Sequence, residues 1–253
     1  MGSILQVAGL TKRFGGLTAV DRLDFEVREG EILGVIGPNG AGKSTTFNLI
    51  AGTYAASEGE IRFAGESIAG LPPHRIAARG VMRTFQHNRP FAGMPVIDNV
   101  LVGAHTRFAN TLWTVVLGAA RREEEARREK ARELVEFVGL GDYLGADVGT
   151  LSFGQGRLLE IARALAGEPK LILLDEPAAG LTPAETARLA EIIRGVAARG
   201  IAVLLIEHDM HFLLPLAHRV VVLNFGAKIA DGLPDDIRAN RAVMDAYLGA
   251  AVN

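Results

Sequence analysis

Short apolar runs bounded by glycine, proline or aspartate alternate with amphipathic stretches along the chain. Runs that are apolar at every position, such as LILL at 171–174 and AVLLI at 202–206, indicate strands of a parallel sheet buried on both faces. This alternation predicts an α/β fold. The predicted strands are 4–7, 20–27, 31–36, 60–63, 81–85, 171–174, 202–206, 219–223 and 228–231. The predicted helices are 43–51, 73–79, 95–103, 120–138, 154–166, 184–198, 209–217, 234–239 and 241–248.

The middle of the chain differs from both ends, because the strand pattern stops over 88–150. Within it, RREEEARREKARELVEF predicts a charged helix that pairs Glu123 with Arg127 and Glu124 with Arg128 at i, i+4. We therefore predict one domain, 1–253, with a helical subdomain (88–150) inserted into an α/β core (1–87 and 151–253). The apolar stretch LWTVVLGAA at 112–120 is either core of this subdomain or a docking surface for a membrane partner.

The composition excludes several classes of function. The 253 residues include no cysteine, which excludes disulfides, thiolate metal sites and cysteine nucleophiles and is compatible with a reducing, cytoplasmic setting. The 27 basic and 29 acidic residues give a net charge of -2 without a local basic patch, which argues against a nucleic-acid partner. No apolar run approaches the roughly 18 residues of a membrane span, so we expect the chain neither to enter nor to cross a membrane.

A glycine-rich stretch, GPNGAGKST, begins at Gly37 directly after a predicted strand and opens a predicted helix. Its spacing matches a phosphate loop, whereas a dinucleotide-binding loop needs a different glycine spacing. Gly40 and Gly42 let backbone N–H groups surround phosphate oxygens, Lys43 reaches the β- and γ-phosphates, and the Ser44 hydroxyl is placed for Mg²⁺. The predicted nucleotide-binding residues of this loop are Gly37, Pro38, Asn39, Gly40, Ala41, Gly42, Lys43, Ser44 and Thr45.

Two acidic residues follow the apolar strand KLILL at the edge where α/β sheets bind ligands. We expect Asp175 to contact Mg²⁺ through water. Glu176, which we take as the only carboxylate beside Asp175 at this edge, could polarise the attacking water. The alternative is an acidic turn that caps the next helix.

The stretch LSFGQGRLLEIARAL at 151–165 precedes these acids, and with it the chain resembles an ABC-type ATPase. The resemblance implies a P-loop NTPase core with an antiparallel β subdomain and an inserted helical subdomain. Ser152 and Gly154 at a helix N-terminus offer a second anion site, although Ser152 could simply cap the helix. By resemblance, Ser152, Gly154 and Gln155 of one subunit close on the γ-phosphate of ATP held by another.

The same resemblance assigns roles to three isolated residues. Phe14 stands at the adenine-stacking position, with a core residue as the alternative. Gln86 would contact Mg²⁺ and the attacking water, or is a surface loop amide. His208 would contact the γ-phosphate and help to position the water and Glu176, or is a partly buried histidine at a strand end. The implied catalytic set is Glu176, His208, Gln86 and Lys43, and the implied metal set is Ser44, Gln86 and Asp175.

Two residues depart from the commoner pattern of the family. Thr182 stands where many members carry aspartate, which leaves communication between the two sites open. Phe153 replaces the glycine of the commoner signature, although aromatic residues are familiar there in one importer group.

The finer resemblance is to ATP-binding subunits of branched-chain amino acid importers, a group with relatives for urea, amides and other small solutes. It rests on RFGGLTAV, RTFQHNRPFAGMPVIDNV, LSFGQGRLLEIARAL, DEPAAGLTP, LLIEHDM and DAYLG. It implies ATP and Mg²⁺ as cofactors. The implied partners are a second ATP-binding subunit, two transmembrane permeases and, indirectly, a solute-binding protein, with the chain on the inner face of the cell membrane.

The sequence bears on three alternatives to an importer subunit. An exporter ATPase stays open, because the core chemistry does not encode the direction of transport. A nucleic-acid-associated ABC ATPase needs a long coiled coil or two cassettes, and neither fits 253 residues. A regulatory module that does not hydrolyse ATP predicts loss of Glu176 or His208, and both are present.

Overall fold

The computed structural model describes residues 2–84, 90–104 and 119–250. The predictions for Gln86 and for 112–118 therefore lie outside the described residues. The strands of the described part are β1 (Ser3–Phe14), β2 (Leu17–Arg28), β3 (Ile32–Ile36), β4 (Glu58–Phe63), β5 (Glu66–Ser67), β6 (Val81–Arg83), β7 (Leu171–Asp175), β8 (Ala202–Ile206), β9 (Arg219–Asn224) and β10 (Ala227–Gly232). Its helices are α1 (Lys43–Ile50), α2 (Pro73–Ala78), α3 (Val96–Gly103), α4 (Ala119–Phe137), α5 (Phe153–Ala166), α6 (Pro183–Ala198), α7 (Met210–Leu213), α8 (Pro234–Ala239) and α9 (Arg241–Ala250).

The predicted α/β class is confirmed by a six-stranded sheet in the order β10-β9-β3-β8-β7-β6. Its strands are parallel except for β10, which runs antiparallel to β9. Every residue of β3, β7 and β8 is buried. Alternate residues of β7 enter different apolar clusters, with Ile172 in the cluster that contains α5 and α6 and Leu173 in the cluster that contains α1 and β1. Both faces of this sheet are therefore covered, as the sequence predicts.

A second sheet, in the order β2-β1-β4-β5, is antiparallel and matches the β subdomain that the resemblance implies. The prediction for its first strand was too short, because β1 runs beyond Val7 to Phe14. The register between β1 and β2 shifts at several points, so the apolar period is broken although backbone pairing continues. The helix predicted at 209–217 was too long: α7 ends at Leu213, and Pro215 has no N–H to donate to a continued helix.

Helices α3 and α4 occupy the described part of the predicted subdomain and pack against α5. Val100 of α3, Leu134 and Val135 of α4 and Leu159 of α5 are buried in one apolar cluster. The division into an α/β core and a helical subdomain stays a prediction. None of the helices in the described ranges is long and apolar enough to span a membrane.

Candidate nucleotide site

The glycine-rich loop joins β3 to α1 and spans 37–42. Gly40 and Gly42 have φ angles of 80° and 98°, a region that favours glycine. A Cβ atom added to Gly42 would lie 2.5 Å from the carbonyl oxygen of Ala19 in β2, so a side chain at this position would collide with the antiparallel sheet. Glycine at position 42 therefore allows both the turn and the close approach of the loop to β2.

Lys43, the first residue of α1, is buried inside this loop. Its Nζ donates to the carbonyl oxygens of Gly37 at 2.7 Å and Pro38 at 3.0 Å. Burial lowers the pKa of Lys43, while the negative charges of Glu176 and Asp175 oppose that shift. The loop is thus folded around the ammonium group, next to the acidic strand end.

A cavity of about 540 Å³ lies in front of the loop and is bounded by the predicted aromatic residue and by Glu176. Phe14 is 42% exposed, which argues against the alternative of a core residue. Its ring meets Tyr54 edge to face at 5.4 Å between centroids, and Lys12 Nζ lies 4.8 Å from the same ring. The ring is therefore held in place and remains accessible to a flat ligand. The described loop residues that line this cavity are Asn39, Gly40, Ala41, Gly42, Lys43, Ser44 and Thr45.

A second cavity, of about 630 Å³, borders the same loop at Gly37 and Pro38 and shares Asn39, Ala41 and Phe225 with the first. His208 lines it, and so does the C-terminal helix α9 through Asp245 and Tyr247. Burial raises the pKa of the Tyr247 hydroxyl. Sequence reasoning gave α9 no part in the site, although the helix forms a wall beside Gly37.

Asp175 ends β7 and is buried in an ion pair that the sequence did not reveal. Arg83 of β6 donates through Nη2 to Asp175 Oδ2 at 2.9 Å and through Nη1 to Asn48 Oδ1 at 2.6 Å. Asn48 lies on α1, so one guanidinium connects the acidic strand end to the helix that follows the phosphate loop. The separation of 92 positions between Arg83 and Asp175 explains why no local pattern indicated this pair.

Glu176 leaves β7 with a φ of 47°, which is uncommon for a residue with a side chain. Its backbone N–H donates to Ile206 O at 3.0 Å, so the residue that turns away from β7 is still hydrogen-bonded to β8. Its side chain lines the cavity in front of the loop, and its Oε1 lies 3.9 Å from His208 Nδ1. The structure thus brings the proposed water-activating carboxylate and the proposed γ-phosphate ligand together.

Glu207 corrects the expectation that Glu176 is the only carboxylate beside Asp175. It follows β8 directly, is fully buried and accepts the Ala178 N–H through Oε1 at 2.9 Å. Its Oε2 lies 3.8 Å from His208 Nδ1. Burial raises the pKa of Glu207, while the Ala178 N–H and the charge of a protonated His208 favour the carboxylate. Knowledge of the strand order would have indicated Glu207, because β7 and β8 are adjacent and the residues that follow them meet at one edge of the sheet.

The signature residues begin α5 and form a capping box. Gln155 N donates to Ser152 Oγ at 3.2 Å, and Ser152 N donates to Gln155 Oε1 at 2.8 Å. The capping alternative for Ser152 is therefore what this structure shows. Ser152, Gly154 and Gln155, all among the described residues, line neither cavity beside the loop.

The start of α6 lies against the start of α5. Thr182 caps α6 and shares a capping box with Glu185, whose Oε2 accepts from the Thr182 hydroxyl at 2.8 Å. A Cβ atom added to Gly154 would lie 2.2 Å from Glu185 Oε1. Phe153 is 55% exposed and carries the Arg157 guanidinium 5.1 Å from its ring centre. Glycine at 154 thus lets the two helix starts pack directly together.

These elements define a class of protein. A glycine-rich loop between a parallel strand and a helix, with a buried lysine at the start of the helix, is the phosphate-binding unit of P-loop nucleoside triphosphatases. The paired acids at the end of β7, whose charges act on Lys43, complete that unit.

Comparisons with known proteins narrow the class. The family model for ABC transporters matches residues 20–179, and the model for branched-chain amino acid ATP-binding cassette transporters matches residues 227–253. The chain is 46% identical over 252 residues to the high-affinity branched-chain amino acid transport ATP-binding protein BraF of Pseudomonas aeruginosa, with 98% of each chain covered. It is 41% identical over 251 residues to LivG of Escherichia coli K12, again with 98% of each chain covered. The chain belongs to the ABC transporter family.

Solved structures agree with this assignment. An ATP-binding cassette of an ABC transporter in its ADP conformation superimposes with a TM-score of 0.87 and 33% identity, covering 98% of this chain and all of the other. A nucleotide-free cassette superimposes with a TM-score of 0.85 and 32% identity, covering 97% of this chain and 99% of the other. As a member of the family, the protein binds ATP and hydrolyses it in the course of transport.

Proposed function

We propose that this chain is the ATP-hydrolysing subunit of an importer for branched-chain amino acids or a related small solute. The observation that carries the proposal is its 46% identity to BraF over nearly the full length of both chains, which is not confined to the ATP-binding motifs. The match of residues 227–253 to a branched-chain transporter model supports the same choice.

The nucleotide binds in front of the phosphate loop in this proposal. The backbone N–H groups of the loop and the ammonium group of Lys43 would hold the phosphates. Without nucleotide, this ammonium group donates to the carbonyl oxygens of Gly37 and Pro38 in the same loop. The adenine stacks on Phe14, whose partly exposed ring lines the same cavity as the loop.

The oxygen donors beside the loop suit Mg²⁺, which prefers carboxylate, hydroxyl and water ligands. Ser44 is exposed in the cavity, and Asp175 uses Oδ2 for Arg83, which leaves Oδ1 for a hydrated ion. When bound, Mg²⁺ neutralises charge on the phosphates. Gln86 stays an expectation from the sequence, since it lies outside the described residues.

Glu176 is the general base that orients and polarises the attacking water. Its side chain is one-quarter exposed in the cavity, which leaves it room to contact a water molecule. His208, exposed after the end of β8 and within 4 Å of Glu176, lines the second cavity beside the loop and contacts the γ-phosphate in this proposal.

A second ATP-binding subunit supplies the signature residues across an interface. The support is that Ser152, Gly154 and Gln155 line neither cavity beside this chain's own loop, although they begin a helix suited to an anion. The remaining partners are two permease subunits and, through them, a solute-binding protein. The chain then lies on the inner face of the cell membrane.

The test is to purify the tagged chain from its native membranes and reconstitute the copurifying complex in liposomes. We expect two polytopic membrane proteins, a second ATPase and ATP-dependent uptake of radiolabelled leucine, isoleucine or valine. The complex that carries Glu176→Gln should assemble and show no uptake. Uptake of urea or amides without branched-chain amino acids would correct the solute, and ATP-driven export would overturn import. Recovery with nucleic acid, or without membrane proteins, would overturn the transport assignment.

A further inference from the structure

Two carboxylates lie close to the same ring nitrogen of His208. Oε2 of Glu207 lies 3.8 Å from Nδ1, and Oε1 of Glu176 lies 3.9 Å from the same atom. The two acids differ in surroundings, because the side chain of Glu176 is 25% exposed in the cavity whereas that of Glu207 is 1% exposed.

One carboxylate oxygen of Glu207 already accepts a hydrogen bond. Oε1 accepts the backbone N–H of Ala178, which fixes the direction of the carboxylate plane. Oε2 is buried without a side-chain donor, although the backbone N–H of His208 also favours the charged carboxylate, against the burial that raises the pKa of Glu207. A side-chain donor close to such a buried oxygen stabilises it further. The 3.8 Å between Nδ1 and Oε2 is longer than a hydrogen bond, so the exposed imidazole of His208 has to move toward Oε2 for Nδ1 to donate to it.

We propose that Glu207 is a positioning residue that accepts the Nδ1 proton of His208 and thereby directs Nε2 toward the nucleotide. A carboxylate that holds one ring nitrogen of a histidine fixes both the tautomer and the orientation of the ring. The proposal deepens the proposed function, since it rests on the role of His208 at the γ-phosphate.

The same carboxylate ties His208 to the segment that follows Glu176. Ala178 lies two residues after Glu176 and four before Thr182, which caps α6. Because Glu207 holds the Ala178 N–H with one oxygen and faces His208 with the other, a displacement of this segment changes the orientation of the imidazole. Glu207 therefore couples the position of residues 176–182 to the phosphate-facing nitrogen.

The test compares the same chemical change at the two acids. Glu207→Gln keeps an oxygen for the Ala178 N–H but turns an amide donor toward Nδ1, whereas Glu176→Gln leaves Glu207 intact. Nitrogen-15 spectra of the histidine-labelled full chain, assigned with His208→Ala, report which ring nitrogen carries the proton. We expect a protonated Nδ1 in the wild type and in Glu176→Gln, and an unprotonated Nδ1 in Glu207→Gln.

Turnover in the assembled complex provides the second measurement. Glu207→Gln should lower kcat by about tenfold or more with KM for ATP within about twofold, because a misoriented histidine affects the reaction and not the loop. An unprotonated Nδ1 in the wild type would overturn the proposal even if both glutamine variants failed to fold. An unchanged tautomer and unchanged kcat in Glu207→Gln would also overturn it. Full turnover in His208→Ala would instead remove the proposed role of His208 itself.

Discussion

Arg83 and Asp175 form a buried ion pair with 2.9 Å between Nη2 and Oδ2, and their side chains are 16% and 7% exposed. The guanidinium also donates a hydrogen bond to Asn48, so one side chain connects the acidic end of β7 to helix α1. Asp175, one of the residues proposed to bind Mg²⁺, is therefore also a partner in an ion pair that connects β6, β7 and α1.

Removal of Arg83 should destabilise the fold. Arg83→Ala leaves Asp175 buried without its counter-ion, and we expect the free energy of unfolding to fall by about 3–5 kcal/mol. Urea denaturation measures it. The matched control is Arg79→Ala, which breaks the exposed Arg79–Glu66 pair and should cost no more than about 1 kcal/mol. Equal losses in the two variants would contradict a special role for the buried pair.

Removal of the loop cation should weaken nucleotide binding. Lys43→Ala takes away a charged donor from the phosphates, and we expect the Kd for ATP to rise by about ten- to a hundredfold. Equilibrium titration of the isolated chain with a fluorescent ATP analogue measures this. Lys228→Ala, which removes an ammonium paired with Asp231, should leave the Kd unchanged. A wild-type Kd in Lys43→Ala would exclude the proposed phosphate contact.

Substitution of the proposed base should separate binding from hydrolysis. Glu176→Gln keeps the size of the side chain but cannot accept a proton, so we expect the Kd for ATP to change little and phosphate release to fall by about a hundredfold or more. Phosphate release from the assembled complex is the measurement. Near-native turnover would rule out Glu176 as the base.

The aromatic platform should contribute to affinity for the base. Phe14→Ala removes the stacking surface, and we expect ATP to bind about tenfold more weakly, while Phe14→Tyr restores binding. Phe225→Ala is the control, because Phe225 is 87% exposed and lines the same cavity. Equal effects at both phenylalanines would argue against specific stacking on Phe14.

The stability of the fold should fall between pH 4.5 and 7 through Glu160 on α5. Burial raises the pKa of Glu160 from 4.5 to about 7, against the charge of Arg157. Over this range the unfolded chain gives up a proton that the folded chain retains, so stability decreases as the pH rises and then levels off. Relative to the wild type, Glu160→Gln should gain about 3 kcal/mol between pH 4.5 and 8, measured by urea denaturation. A difference that does not change with pH would contradict the assignment.

The sequence predicts those elements whose residues are buried on both faces. β8 has the predicted bounds, because its five apolar residues need no information from elsewhere in the chain. β1 beyond Val7 was missed, because its pairing with β2 and β4 proceeds through the backbone and shifts register. The two-residue strand β5 was missed for a related reason, since both of its residues are exposed.

The same distinction applies to the site: residues defined by a local motif could be predicted, and residues defined by a distant partner could not. Lys43 and Ser44 could be placed because their spacing within one loop determines their chemistry. Arg83 and Glu207 could not, because each acquires its importance from a partner on another strand or segment. The wall that α9 forms beside Gly37 depends on the return of the C-terminus to the loop, which no local pattern encodes.

Glu185 connects the two helix starts that face each other near the signature. It caps α6 through Thr182, and it occupies the space that a side chain at position 154 would need. The two helix starts are therefore in direct contact, and we expect a displacement of Thr182 and Glu185 to displace the start of α5 as well. In the proposed dimer, this contact would carry a change beside Glu176 to the surface that faces the ATP of the second subunit.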